Sequence, residues 1–325
     1  MNAVVDVRDV IKAFGETMAL RGVSFAVGPG EVCGLIGPNG AGKTTIMRIL
    51  ATLLRPDVGR ASVFGLNVHG EEERIRPLIG YMPDSGGAYR DMMVHEYLEF
   101  FAAAYGIVEP DRSRVVKDCL DLTGLRELRE RPIEGLSRGM RQRLGLARCL
   151  VHDPKLLILD EPASGLDPRA RIEILEVMNV LREMGKTILI SSHILSELRT
   201  VCTRICILDN GTVLYNGTID NALAQARSCL RIEVKVLGDA QRACELLAEQ
   251  DAVQTAAYAG NAITLTLAND VVDFSFIAAR LVQNGFNVLT IEEEEILLED
   301  AFLKLTDPSR GEGTGNDPAA ELADE

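Results

Sequence analysis

One stretch limits the folds open to this chain more than any other: Gly37, Pro38, Asn39, Gly40, Ala41, Gly42, Lys43, Thr44 and Thr45, in that order. Ahead of it, Glu31-Val-Cys-Gly-Leu-Ile36 reads as a buried strand, apolar from Val32 on, and Thr45 to Leu54 as the helix that follows. Gly37, Gly42, Lys43 and Thr44 satisfy G-x-x-x-x-G-K-[ST], and the strand–loop–helix setting is what gives that spacing its meaning. Glycines let successive backbone N–H groups face one point, and a helix N-terminus adds the positive end of its dipole there. Such a loop cradles a polyphosphate. Lys43 is expected at the β- and γ-phosphates, with the Thr44 hydroxyl on Mg²⁺.

With 325 residues, 47% of them hydrophobic, the chain can bury a large domain and a smaller one. The formal charge of −14 is concentrated at one end, because residues 291–325 carry −10 of it. A basic footprint for nucleic acid is therefore absent, and no nucleic-acid partner is expected. No apolar run reaches the ~20 residues that span a bilayer. The charged start Met1–Val10 is unlike a signal peptide, so a cytoplasmic chain is expected. The seven scattered cysteines read as buried free thiols. Cys202 and Cys206 lack the further His or Cys partners that a metal site needs.

Up to about residue 220, strand-like and helix-like segments alternate, with strands expected at Val4–Val7, Val23–Val27, Val32–Ile36, Ala61–Phe64, Ile79–Met82, Leu156–Asp160, Thr187–Ser191, Ile205–Asp209 and Thr212–Asn216. Leu156-Leu-Ile-Leu159 and Ile188-Leu-Ile190 are continuous apolar runs, as parallel strands covered on both faces require. From Val94 to His152 the pattern turns helical, with Val94, Tyr97, Leu98, Phe101 and Tyr105 on one stripe. Beyond Ser228 the order becomes β-α-β-β-α-β, a small split βαβ sandwich, with a last helix at Glu295–Leu305. The expected domains are thus 1–227, with a helical insertion at about 94–152, then 228–306, and an acidic, Gly- and Pro-rich tail at 307–325 expected to be disordered.

Downstream of the cradle, the apolar strand Leu156–Leu159 ends in Asp160 and Glu161. Side chains alternate at a strand end, so the two carboxylates can take different tasks. Asp160 suits the Mg²⁺ shell and Glu161 the polarisation of an attacking water. Just before that strand, Ser137 and Gly139 open a helix within Leu136-Ser-Arg-Gly-Met140. A hydroxyl and free N–H groups at a helix start also make an anion site. Two anion sites in one chain suggest that one chain's cradle and its twin's capped helix hold the same phosphate.

In this order and spacing the motifs resemble those of the ATP-binding cassette (ABC) ATPases, from Val4 to about Gly217. The resemblance implies an α/β P-loop NTPase core with an antiparallel β subdomain, an all-helical signature subdomain and the small α+β C-terminal domain. Leu136–Met140 resembles the signature, and Ser164-Gly-Leu-Asp167 the loop that crosses the dimer interface. His193 matches the switch histidine at the γ-phosphate, and Phe14 stands where an aromatic ring stacks on adenine. The pattern is departed from in two places. Asp84 stands where a Gln touching Mg²⁺ and the water is usual, and Arg138 and Met140 replace the commoner Gly and Gln of the signature.

The resemblance implies ATP and Mg²⁺ as cofactors, an ATP-driven homodimer, and a separate integral membrane permease. The permease would hold the chain on the inner face of the membrane, with the loop Asp84–Met93 carrying the coupling. The ending Leu297-Leu-Glu-Asp-Ala-Phe-Leu-Lys-Leu-Thr306 is similar to that of exporters with separate ATPase and permease chains. Two other readings stay open on the residues: an ATPase acting on ribosomes or DNA, and an importer ATPase.

Overall fold

Val32–Ile36 carries no charged side chain, and all five of its residues are buried. A strand with no wet face has to lie inside a covered sheet, and the rest of the fold is arranged around that requirement. The computed structural model describes residues 3–84, 91–192, 194–226, 230–268 and 273–293. They divide into two compact units, Met1–Ile219 and Asp220–Lys304.

The first unit begins with a long hairpin, β1 (Val5–Phe14) and β2 (Thr17–Val27), then β3 (Val32–Ile36) and α1 (Lys43–Leu50). Next come β4 (Val58–Val63), β5 (Leu66–Asn67), α2 (Glu72–Ile75) and β6 (Ile79–Met82). Three helices follow without a strand: α3 (Val94–Ala104), α4 (Asp111–Leu122) and α5 (Arg138–Leu150). The unit is completed by β7 (Leu156–Leu159), α6 (Pro168–Glu183), β8 (Thr187–Ser192), α7 (Leu195–Val201), β9 (Arg204–Asp209) and β10 (Thr212–Thr218).

Two sheets share this unit. One is antiparallel, in the order β2-β1-β4-β5, and it buries one face only. Val5, Val7 and Val10 point inward from β1, as do Leu20, Val23, Phe25 and Val27 from β2, while most residues between them are wet. The other has the order β10-β9-β3-β8-β7-β6, parallel from β9 through β6, with β10 antiparallel at the edge. Every residue of β7 and β8 is buried. Each such Leu or Ile contributes about 1.5–3 kcal/mol by leaving water, so these strands are firm supports for whatever follows them. The helical insertion α3–α5 and the antiparallel sheet are the two subdomains expected of the α/β core.

The second unit takes in all but the first residue of α8 (Ile219–Ala226). It contains β11 (Leu230–Leu237), α9 (Ala240–Ala248), β12 (Val253–Ala259), β13 (Ala262–Leu267), α10 (Ser275–Gln283) and β14 (Asn287–Glu293). The sheet is antiparallel in the order β12-β13-β11-β14. Ile232, Val234 and Val236 alternate inward against Ala243, Leu247, Ile277 and Leu281 of the two helices, giving the unit a core of its own. This is the small βαββαβ sandwich. The expected helix Glu295–Leu305 and the acidic tail lie outside the described residues.

Candidate functional site

The cradle is shaped by contacts that exclude side chains. A Cβ on Gly37 would collide with the backbone carbonyl of Leu208 on β9. Gly42 has φ +105°, and a Cβ there would lie 2.7 Å from the carbonyl oxygen of Ala19. Lys43 follows as the first residue of α1, and only 6% of it is exposed. Its ammonium donates to the carbonyls of Gly37 at 2.6 Å and Pro38 at 3.2 Å, and stands 3.7 Å from Glu161 Oε1. The loop is thus curled around its own cation.

Asp160 directly follows β7 and is 1% exposed. Its Oδ1 accepts from the Ser191 hydroxyl at 2.7 Å, whereas its Oδ2 is buried with no hydrogen-bond partner. An orphaned carboxylate oxygen is what a hard divalent cation would take up, so this residue fits Mg²⁺. Glu161 has φ +49°, a region uncommon for non-glycine residues, and its N–H donates to Ser191 Oγ at 2.8 Å. Ser191 was not singled out from the sequence. Its local signal is only a polar residue near the end of an apolar strand; its place across from Asp160 comes from the pairing of β7 with β8.

A depression of about 620 Å³ gathers most of the expected residues. Pro38 through Thr45, Phe14, Asp84, Glu161 and Ser164 line it. Phe14, at the end of β1, is 51% exposed, so it is not a core aromatic; the Lys12 ammonium lies 5.6 Å from its ring centroid. Ser137 and Gly139 do not line this depression. Ser137 caps α5, its Oγ accepting from Met140 N at 3.3 Å, and Gly139 is buried against Ala170 of α6. Arg138 packs on Gly165, filling the space a side chain there would need. Asp167 caps α6, accepting from the N–H groups of Arg169 and Ala170. His193, and residues 85–90 of the expected coupling loop, lie outside the described residues.

Comparison with known proteins agrees with this geometry. The sequence profile of the ABC transporter family matches residues 20–164. The chain is 34% identical over 302 residues to the Nod factor export ATP-binding protein I of Rhizobium sp. (strain N33), covering 93% of this chain and 96% of that one. It is 31% identical over 306 residues to the linearmycin resistance ATP-binding protein LnrL of Bacillus subtilis (strain 168), covering 93% and 98%. Among solved structures, an ATP-binding subunit of an ABC transporter matches with TM-score 0.62 and 33% identity, over 68% of this chain and 92% of that one. A dimeric ATP-binding cassette in a post-hydrolysis state with ADP and Pi matches with TM-score 0.61 and 25% identity, over 66% and 98%. Among the described residues, no helix is long and apolar enough to cross a membrane. The cradle, the acid-ended strand and relatives matched along nearly their whole length lead to one conclusion: this chain belongs to the ABC transporter family, as an ATP-binding subunit of the exporter type.

Proposed function

We propose that the chain is the MgATP-hydrolysing motor of an exporter, working as a head-to-tail homodimer beside a separate membrane permease. The observation that carries this reading is an incomplete site. The depression holds the cradle, Asp84 and Glu161, while the second anion-binding element, Ser137 with Gly139, does not line it in the same chain. In a head-to-tail pair, each chain's Ser137 and Gly139 complete the site of the other. Two ATP molecules are then bound per dimer.

Within one site, the loop N–H groups and Lys43 hold the triphosphate, and Phe14 stacks on the adenine. Asp160, the Thr44 hydroxyl and Asp84 are the oxygen donors that would hold Mg²⁺, which when bound neutralises charge between the β- and γ-phosphates. Glu161 draws the proton from the attacking water, and its displacement from Lys43 by the incoming phosphates would free it for that task. His193 contacts the γ-phosphate and reports its loss. The burial of Asp160 in a low-dielectric wall strengthens each of these electrostatic contacts.

The permease is expected in a groove between the core and the helical insertion. Leu53, Tyr81, Phe101, Tyr105, Arg148 and His152 are among the residues lining a cavity of about 210 Å³ there. An apolar and aromatic surface of this kind, with Leu53 exposed, suits a helix of another protein. Reopening of the dimer after hydrolysis would then rock the permease as a rigid body. The chain would lie on the cytoplasmic face of the membrane through that contact. The relatives named for Nod factor export and linearmycin resistance support the exporter branch.

Replacing Glu161 with Gln tests the reading. The variant should bind ATP, lose turnover, and double in mass on a sizing column with ATP and Mg²⁺. Continued hydrolysis would overturn the base assignment, and a monomer under all such conditions, with or without the permease, would overturn the shared site.

A further inference from the structure

Resting on the hydrolysis proposed above, we infer that Ser191 is the positioning residue that aims both acids, setting which oxygen Asp160 leaves free and holding the main chain of Glu161. Ser191 is fully buried in the middle of the parallel sheet. On one side it pairs with Leu35 of β3, and on the other it occupies the rung after Leu159↔Ile190, which places it across from Asp160. A hydroxyl has a single proton to give. Here that proton goes to Asp160 Oδ1 at 2.7 Å, and the lone pairs accept from Glu161 N–H at 2.8 Å.

Two consequences follow from this one bridge. Asp160 has one oxygen engaged, so its partnerless Oδ2 is the atom left for a cation. Glu161 sits at φ +49°, and the bond to its N–H helps hold it in that sparsely populated region. Removing the hydroxyl would release the carboxylate to rotate and take from the Glu161 N–H its part-buried acceptor. Both acids would lose their aim at once, although Ser191 itself does not line the depression. A serine that merely satisfies a strand end would affect stability alone.

The test uses the full chain with Ser191→Ala, Ser191→Cys and Ser191→Thr, and three readouts: thermal unfolding, binding of a fluorescent ATP analogue with Mg²⁺ or with EDTA, and steady-state ATPase. Loss of a hydrogen bond to a charged group predicts that Ser191→Ala raises the half-saturating Mg²⁺ for analogue binding by about 10-fold and lowers kcat by about 10- to 100-fold. Binding in EDTA and the KM for ATP should stay within about threefold of the wild type. Ser191→Thr, which keeps the hydroxyl, should recover most of both losses, and Ser191→Cys should lie between Thr and Ala. If the Ala chain does not fold, the order Thr above Cys decides. The inference is overturned if Ala matches the wild type in Mg²⁺ dependence and kcat, if Thr is no better than Cys, or if binding in EDTA falls as far as binding in Mg²⁺. A wild-type chain without ATPase activity would instead refute the proposed function.

Discussion

Gly139 lies in the stretch that resembles the signature, and its Cβ-less surface has a second explanation that a double-mutant cycle can separate from the proposed phosphate binding. An alanine Cβ at position 139 would sit 2.8 Å from the Cβ of Ala170, the one atom among the described residues, its own helix backbone aside, that it would crowd. Carbon atoms in good contact lie about 3.5–4.0 Å apart, so α5 and α6 would have to separate by about 1 Å. Overpacking of this kind costs about 1–3 kcal/mol, offset by up to about 1 kcal/mol because alanine is the better helix former. Gly139→Ala alone should therefore lose about 1–2 kcal/mol, and Ala170→Gly alone about 1 kcal/mol. In the double variant the crowded atom is gone and the two propensity changes cancel. Its stability should return to within about 0.5 kcal/mol of the wild type. For a unit the size of Met1–Ile219, each kcal/mol moves Tm by about 2–4 °C. Scanning calorimetry of the four chains, following the transition that an ATP analogue raises, reads the cycle directly. Additive changes would refute the packing argument. ATPase activity separates the roles: if the double variant regains stability but not turnover, Gly139 also serves the phosphate.

Three further outcomes follow from the site and its surroundings. Asp84→Gln removes a negative charge from the depression that Glu161 also lines, so ATPase rate should depend less on free Mg²⁺; an unchanged curve would count against a metal-linked Asp84. The six described cysteines are buried, with the Cys33 thiol pushed up to about 12 and those of Cys202 and Cys206 raised well above their usual value, all by burial. Iodoacetamide at pH 8 should leave all six unmodified in the native chain and label them in guanidinium, as peptide mass mapping would reveal. His152 donates from Nε2 to the Ile79 carbonyl at 2.8 Å and keeps Nδ1 buried without a partner, and burial lowers its pKa. Since the unfolded chain takes up this proton first, stability is present above the ordinary histidine pKa and is lost as pH falls below it. His152→Gln should therefore weaken the fall in urea midpoint between pH 7.5 and 5.5, and an identical fall would exclude His152 as its source.

The parallel strands were legible because nothing about them is ambiguous. β3 and β6 match the expected Val32–Ile36 and Ile79–Met82 residue for residue, and β7 and β8 match within one, since strands buried over nearly their whole length read as unbroken apolar runs. The hairpin was harder. Only Val4–Val7 and Val23–Val27 were expected, but β1 and β2 run to Phe14 and from Thr17. The missing residues, such as Thr17 and Arg21, pair through main-chain bonds while their side chains face water, and bulges near Val7 and Val10 break the alternation. In the site, the loop and the two acids could be read because local spacing encodes them. The bridge through Ser191 joins residues 31 and 30 positions apart, and it exists only through strand order, which no local pattern displays.

That strand order also constrains how the chain can vary in length. Ile36 pairs with Ser192, Leu159 pairs with Ile190, and Met82 pairs with Leu159. The residues with chemistry to perform stand just past these last rungs. Deleting one residue from β3, β7 or β8 would rotate every downstream side chain to the opposite face, whereas the turns entering those strands, at Gly28–Glu31 and Met184–Lys186, sit at the far end. Insertions and deletions among descendants of this sequence should accumulate at that far end and be purged from the strands themselves.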